Sequence, residues 1–261
     1  MSTLYDTIGT TYAVSRRADP SLADALAMLL DLNASRKYLD VACGTGNYTT
    51  ALSTLGGAWT GVDISDVMLA EARKTSAAVS WLLANASELP FHACTFDGAI
   101  CTLAIHHFKQ LDRAFAEVRR VLRSGTFVLF TGLSEQMQNY WLCHYFPSMM
   151  RRSIENMPSE HRIRESLLHA GFSRVQTTPY FVTPELKDLF LYSGKDRPDL
   201  YLDTTIRQNI SSFARLSTPD EIQRGLRALA QDLRTGTFEA VRAKYNSSDG
   251  DYTFLVAHAA G

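Results

Sequence analysis

Apolar residues along this chain fall into two kinds of pattern. Some form short continuous runs; others recur at every third or fourth position. The runs at 36–42, Trp59–Asp63, Val79–Leu83, Phe96–Thr102 and Thr126–Thr131 predict strands, and the fourth is continuously apolar enough to be buried on both faces. Between them the spacing is helical. Asp19 before Pro20 marks a helix start, with Leu22, Ala25, Leu26, Leu29 and Leu30 on one face. Thr49–Leu55 continues as a helix to Gly56-Gly57, and Ser65 or Asp66 opens another through Lys74. Leu111–Leu122 is amphipathic, and Ser124-Gly125 is expected to turn it into the next strand. Strands alternating with helices predict a parallel sheet with right-handed crossovers.

Past residue 132 the pattern loosens. Residues 133–159 are rich in aromatic residues and methionine. Glu160–Ala170 reads as a helix closed by Gly171, Phe172–Val182 as a strand and Tyr252–His258 as a last strand. The intervening 183–251 is expected to be helical, its best element being Pro219–Leu233 capped by Thr218. An insertion between the last two strands is a natural lid.

Composition narrows the class. A chain of 261 residues, 46% hydrophobic and 20% charged, is sized for one α/β domain with an insertion. The expected division is an N-terminal cap and first helix at 1–35, a core at 36–132, the rest of the sheet at 133–182, the lid at 183–251 and the final strand at 252–261. A net charge of -1 argues against a dedicated nucleic-acid binder. No apolar run is long enough for a membrane span. Met1–Asp6 has neither a charged n-region nor an apolar h-region, and the four cysteines lack metal-ligand spacing. A cytoplasmic protein with reduced thiols and no metal is expected.

The chemistry is concentrated after the first strand. Asp40-Val41-Ala42-Cys43-Gly44-Thr45-Gly46 runs from a strand through a small-residue loop into a helix, where ligands bind in open α/β sheets. A dinucleotide loop needs a third glycine, and Thr49 stands there. Asp40 would repel phosphate and suits a cation. Asp63, at the end of strand two, can accept from both hydroxyls of a ribose. A nucleoside carrying positive charge fits, and S-adenosylmethionine is such a ligand.

These residues resemble motif I of the class I S-adenosylmethionine-dependent methyltransferases, closest to the branch that includes the ubiquinone/menaquinone biosynthesis enzymes. The likeness continues through Gly61-Val62-Asp63-Ile64-Ser65, Asn85-Ala86-Ser87-Glu88-Leu89-Pro90-Phe91, Phe96-Asp97, Leu103-Ala104-Ile105-His106-His107-Phe108 and Val121-Leu122-Arg123-Ser124-Gly125. It implies a Rossmann-like, doubly wound, seven-stranded α/β sheet, mostly parallel with an antiparallel last strand. It also implies that Asp40 and the backbone of Ala42, Gly44 and Gly46 hold the methionine part of the cofactor. Asp63 would take the ribose, Ile64 would pack on the adenine, and Asn85 with Ala86 would bind its edge. Thr102 and Leu103 would border the methyl group. The family's first glycine is Ala42 here, and its common aspartate is Asn85.

The acceptor is expected to be a small molecule. His106 and His107 are candidate general bases, His106 favoured for its place closer to the strand end, with an unperturbed imidazole pKa suited to the role. Tyr5, Tyr12, Arg16, Trp141 and Tyr145 are candidate substrate contacts. An RNA or protein acceptor on the same fold, or a non-catalytic cofactor-binding module, are the competing expectations.

Overall fold

The computed structural model describes residues 16–245 and 247–259. Seven strands form one sheet: β1 (Lys37–Val41), β2 (Ala58–Asp63), β3 (Ser80–Leu83), β4 (Phe96–Thr102), β5 (Leu122–Thr131), β6 (Phe172–Tyr180) and β7 (Tyr252–Ala259). Their order is β3-β2-β1-β4-β5-β7-β6. Pairing is parallel from β3 to β5, and β7 runs antiparallel to both β5 and β6. The Rossmann-like arrangement with an antiparallel last strand is therefore present.

Both faces of the sheet are covered, and the two-residue period of the strands assigns side chains to each. Tyr38, Ile100, Val128, Phe130, Phe254 and Val256 belong to one apolar layer. Leu39, Cys101, Phe127, Leu129, Leu255 and Ala257 belong to the other. The first face carries α1 (Pro20–Leu30) and α2 (Asn47–Leu55), the second α4 (Leu111–Val121) and α8 (Glu160–His169); α3 (Asp66–Thr75) follows β2. Asp19 caps α1 by accepting from the Leu22 N–H at 3.0 Å, with Pro20 at the first helical position.

Two expectations change. Ser124 and Gly125 do not form a turn: β5 already begins at Leu122, paired with Phe96, and a register shift between Phe96 and Gly98 absorbs the extra residues. Gly125 is required there because a Cβ would run into the Asp97 carbonyl oxygen. The segment between β6 and β7 is also less continuously helical than its composition suggests. Its described residues form the 3₁₀ turns Pro198–Leu202 and Ala243–Tyr245 and the helices α9 (Thr204–Gln208), α10 (Ser211–Leu216), α11 (Pro219–Thr235) and α12 (Phe238–Arg242). Only α11 is long. It starts where expected, with Thr218 accepting from the Glu221 N–H. These pieces pack on α6 (Leu142–Tyr145) and α7 (Pro147–Glu155), the latter also packed against α5 (Ser134–Met137), and their aromatic residues join the layer over the first face. Among the described residues no helix is long and apolar enough to cross a membrane, and no group of His, Cys, Asp or Glu is arranged to hold a metal ion.

Candidate active site

The direction of winding reverses between β1 and β4, so the loops leaving β1, β2 and β4 diverge and open a crevice at their carboxyl ends. The loop after β1 places three of five residues in the left-handed region: Ala42 (φ 59°), Gly44 (φ 56°) and Gly46 (φ 73°). It is tied to β2 by the Cys43 N–H, which donates to the Val62 carbonyl at 3.0 Å. The Gly44 N–H donates to Asp63 Oδ2 at 2.8 Å. Gly44 faces open space, whereas a Cβ on Gly46 would collide with the Trp81 indole. The two glycines thus serve different ends: Gly44 leaves room for a ligand, and Gly46 lets the loop close on its own support.

The first cavity, about 330 Å³, is lined by Arg16, Ala42, Gly44, Asp63, Ile64, Asn85, Ala86, Thr102, Leu103 and His107 among others. Asp63 also accepts from the Ser65 N–H at 2.9 Å. Burial nevertheless raises its pKa, against the backbone donors of Ser65, Gly44 and Ile64. Asn85 Oδ1 accepts from the Ser87 N–H at 2.9 Å, which fixes its side chain in a local turn. Ile64 is 59% exposed on the cavity wall.

Asp40 and Gly46 do not reach this wall. Asp40 lies beneath the loop, 1% exposed, its Oδ2 accepting from Thr49 Oγ1 at 2.5 Å and its Oδ1 buried with no partner. Desolvation pushes its pKa up to about 7, with the Thr49 hydrogen bond opposing and the Asp63 charge adding. An orphaned carboxylate oxygen under the loop is the feature a cationic ligand above it would compensate.

A second cavity of about 350 Å³ adjoins the first, and Arg16, Leu103, His107 and Lys109 line both. Leu103, held in the left-handed region (φ 53°) by donating its N–H to the Phe130 carbonyl at 2.7 Å, stands at the junction. Such conformations on bulky side chains cluster at functional sites.

The two imidazoles are in contact, their centroids 3.9 Å apart and their planes tilted by 47°. His106 lines only the second cavity, and its Nδ1 is buried with no partner. Its pKa is pushed down to about 3 by burial, then by His107 and Arg16. His107 opens onto both cavities and keeps an exposed edge; desolvation by the protein around it, then the Arg215 charge, push its pKa down to about 4. Both are thereby weaker bases than a free imidazole of pKa 6.5.

The remaining substrate candidates divide. Arg16 is at the site, bound through Nε (2.5 Å) and Nη2 (3.2 Å) to Asp188 in the β6–β7 segment. Tyr48 donates to the same carboxylate at 3.1 Å. Trp141 and Tyr145 line neither cavity. Trp141 packs edge-on against Tyr145, Tyr201 and Phe238, and Tyr145 donates to Asp232 at 2.8 Å; both are core of the helical cap. Tyr5 and Tyr12 lie outside the described residues. Asp188, Lys109, Ser153 and Arg215 reach the cavities without having been singled out from sequence. Asp188 and Arg215 sit in a segment with no readable motif; Lys109, two residues past His107, could have been found by its place after β4.

Residues 39–130 match the family model described as a methyltransferase domain. The chain is 31% identical over 187 residues to a ubiquinone/menaquinone biosynthesis C-methyltransferase of Rhizobium etli, covering 59% of this chain and 72% of that one. It is 37% identical over 113 residues to a malonyl-[acyl-carrier protein] O-methyltransferase of Salmonella typhimurium, covering 43% and 45%. A solved structure described as a methyltransferase from an antibiotic biosynthesis pathway of Anabaena variabilis superposes with a TM-score of 0.82 at 32% identity, covering 93% of this chain and 98% of that one.

Proposed function

Because the chain belongs to the class I S-adenosylmethionine-dependent methyltransferases, we propose that its first cavity holds S-adenosylmethionine and its second a small-molecule methyl acceptor. The observation that carries this reading is the pair of cavities of similar volume sharing Leu103 and His107, one of them walled by the Asp63 carboxylate. A non-catalytic module would have no use for the second.

In this reading Asp63 accepts from the ribose hydroxyls with the lone pairs its backbone donors leave available. Ile64 covers the adenine, and Asn85 with Ala86 meets its edge. Ala42 and Gly44 bring main chain against the methionine part. Asp40 acts through the loop as a buried negative charge facing a cationic ligand, and Gly46 acts through its packing on Trp81. Thr102 and Leu103 lie where the transferable methyl would face the acceptor. When bound, the cofactor supplies an electrophilic methyl group on a positively charged sulfur. The protein supplies proximity and alignment, which can account for most of the acceleration of an in-line displacement. Where the acceptor must lose a proton, His107 is better placed than His106, since only His107 lines both cavities.

Titration calorimetry with S-adenosylmethionine tests the assignment. Asp63→Ala removes a charged acceptor of two hydrogen bonds and is expected to weaken binding by roughly 30-fold or more, about 2 kcal/mol or above. Tight binding that survives Asp63→Ala refutes this placement of the cofactor.

A further inference from the structure

The second cavity has an unbalanced wall. Arg16, Lys109 and Arg215 line it, and among the described residues no aspartate or glutamate does. Arg16 is already matched by Asp188. Lys109 and Arg215 are not: among the described residues neither has an ion-pair or hydrogen-bond partner. Arg215 acts inward, since its charge lowers the proton affinity of His107. Two uncompensated cations around a concave space of low polarisability concentrate anions there. The wall also carries Ser153, 4% exposed, whose Oγ has no partner, and the unpaired Nδ1 of His106. Buried polar groups of this kind call for a partner that the protein does not itself supply. Much of the rest of the wall is apolar, with Leu103, Met137, Met157, Phe190, Ile210 and Leu216, interrupted by Thr131, Asn156, Ser211 and Ser212.

We propose that the methyl acceptor is an apolar small molecule carrying a carboxylate, that Lys109 and Arg215 hold this group, and that the carboxylate itself receives the methyl. The proposal rests on the assignment of the two cavities above. An amine, alcohol or phenol would have to give up a proton during or after transfer. The cavity offers no carboxylate base, and its two imidazoles bind protons weakly. A carboxylate arrives ionised, and neighbouring cations keep it so. A lone pair on the carboxylate oxygen forms the new bond to the methyl carbon while the methyl–sulfur bond breaks with its electron pair going to sulfur, leaving a neutral ester and a neutral thioether with no proton transferred. Loss of the negative charge also removes the hold of Lys109 and Arg215 on the product.

The experiment measures binding of octanoate and of octanamide, its uncharged counterpart, to protein saturated with S-adenosylhomocysteine. Octanoate is expected to bind at least tenfold more tightly. That preference should fall threefold or more in Arg215→Gln and in Lys109→Gln, and be largely kept in Arg215→Lys. Affinity for S-adenosylhomocysteine is unchanged in Arg215→Gln, since Arg215 does not line the first cavity. With methyl-labelled S-adenosylmethionine, label transferred to octanoate is released as methanol by mild alkali. Equal affinity for acid and amide, no binding of octanoate, a preference untouched by both Gln variants, or an alkali-stable product overturns the proposal. Failure of S-adenosylhomocysteine to bind overturns the cavity assignment as well, whereas its normal binding with no preference for the acid overturns the carboxylate alone.

Discussion

At the scale of single residues the site is governed by groups held in uncomfortable states. Ala42 occupies a left-handed conformation that disfavours any side chain by roughly 1–2 kcal/mol, the physical reason a glycine suits this position. Asp40 is the larger anomaly. Its pKa, raised from 3.8 to about 7, means that the folded protein holds a proton there that the unfolded chain releases above pH 4. Asp40 therefore favours folding below pH 3.8, and that contribution is lost as pH rises through 7. A cationic ligand over the loop reverses the preference by drawing Asp40 into its charged form. Affinity for S-adenosylmethionine is thus expected to rise roughly fivefold between pH 6 and 7.5 and to flatten in Asp40→Asn; a profile equally flat in the unaltered protein would sever Asp40 from the cofactor. Much of this was legible in sequence, because Asp40, Asp63 and Asn85 are each placed by the end of a strand. The burial of Asp40 was not, since depth beneath a loop depends on Thr49 and the chain behind it.

At the scale of elements, strands and caps followed from local pattern, and the errors arose where two elements meet. The start of β5 was misplaced because Ser124-Gly125 has the composition of a turn. What decides the matter is β4, whose Asp97 carbonyl occupies the space a Cβ at Gly125 would need. Gly125→Ala should consequently push the strands apart and lower stability by about 2–3 kcal/mol, read as a fall in the denaturation midpoint. A change below 0.5 kcal/mol would indicate that this register shift yields freely. The β6–β7 segment was hard to read for a related reason: its short helices are set by an aromatic layer assembled from distant residues, among them Trp141, Tyr192 and Tyr201, rather than by their own periodicity.

At the scale of the whole molecule, the crevice is closed by contacts spanning most of the chain. Arg16 and Asp188, 172 positions apart, form a mostly buried pair on the wall of the first cavity. Asp19, which caps α1, also accepts from the Lys187 N–H at 2.9 Å. The β6–β7 segment is thereby latched to the side of the sheet that bears the first cavity, by residues that no local pattern could have paired. One arrangement already described has an optical consequence. Of the three tryptophans, Trp59 is stacked on Tyr38 in the core and Trp141 is sealed in the cap; only Trp81 lies against the main chain of Gly46 and Gly61, behind the loop that faces the first cavity. Its indole is a resident reporter of that loop. Saturation with S-adenosylhomocysteine should change the protein's emission, and Trp81→Phe should silence most of the change while calorimetry still records binding. An undiminished emission change in Trp81→Phe would locate the responding chromophore elsewhere.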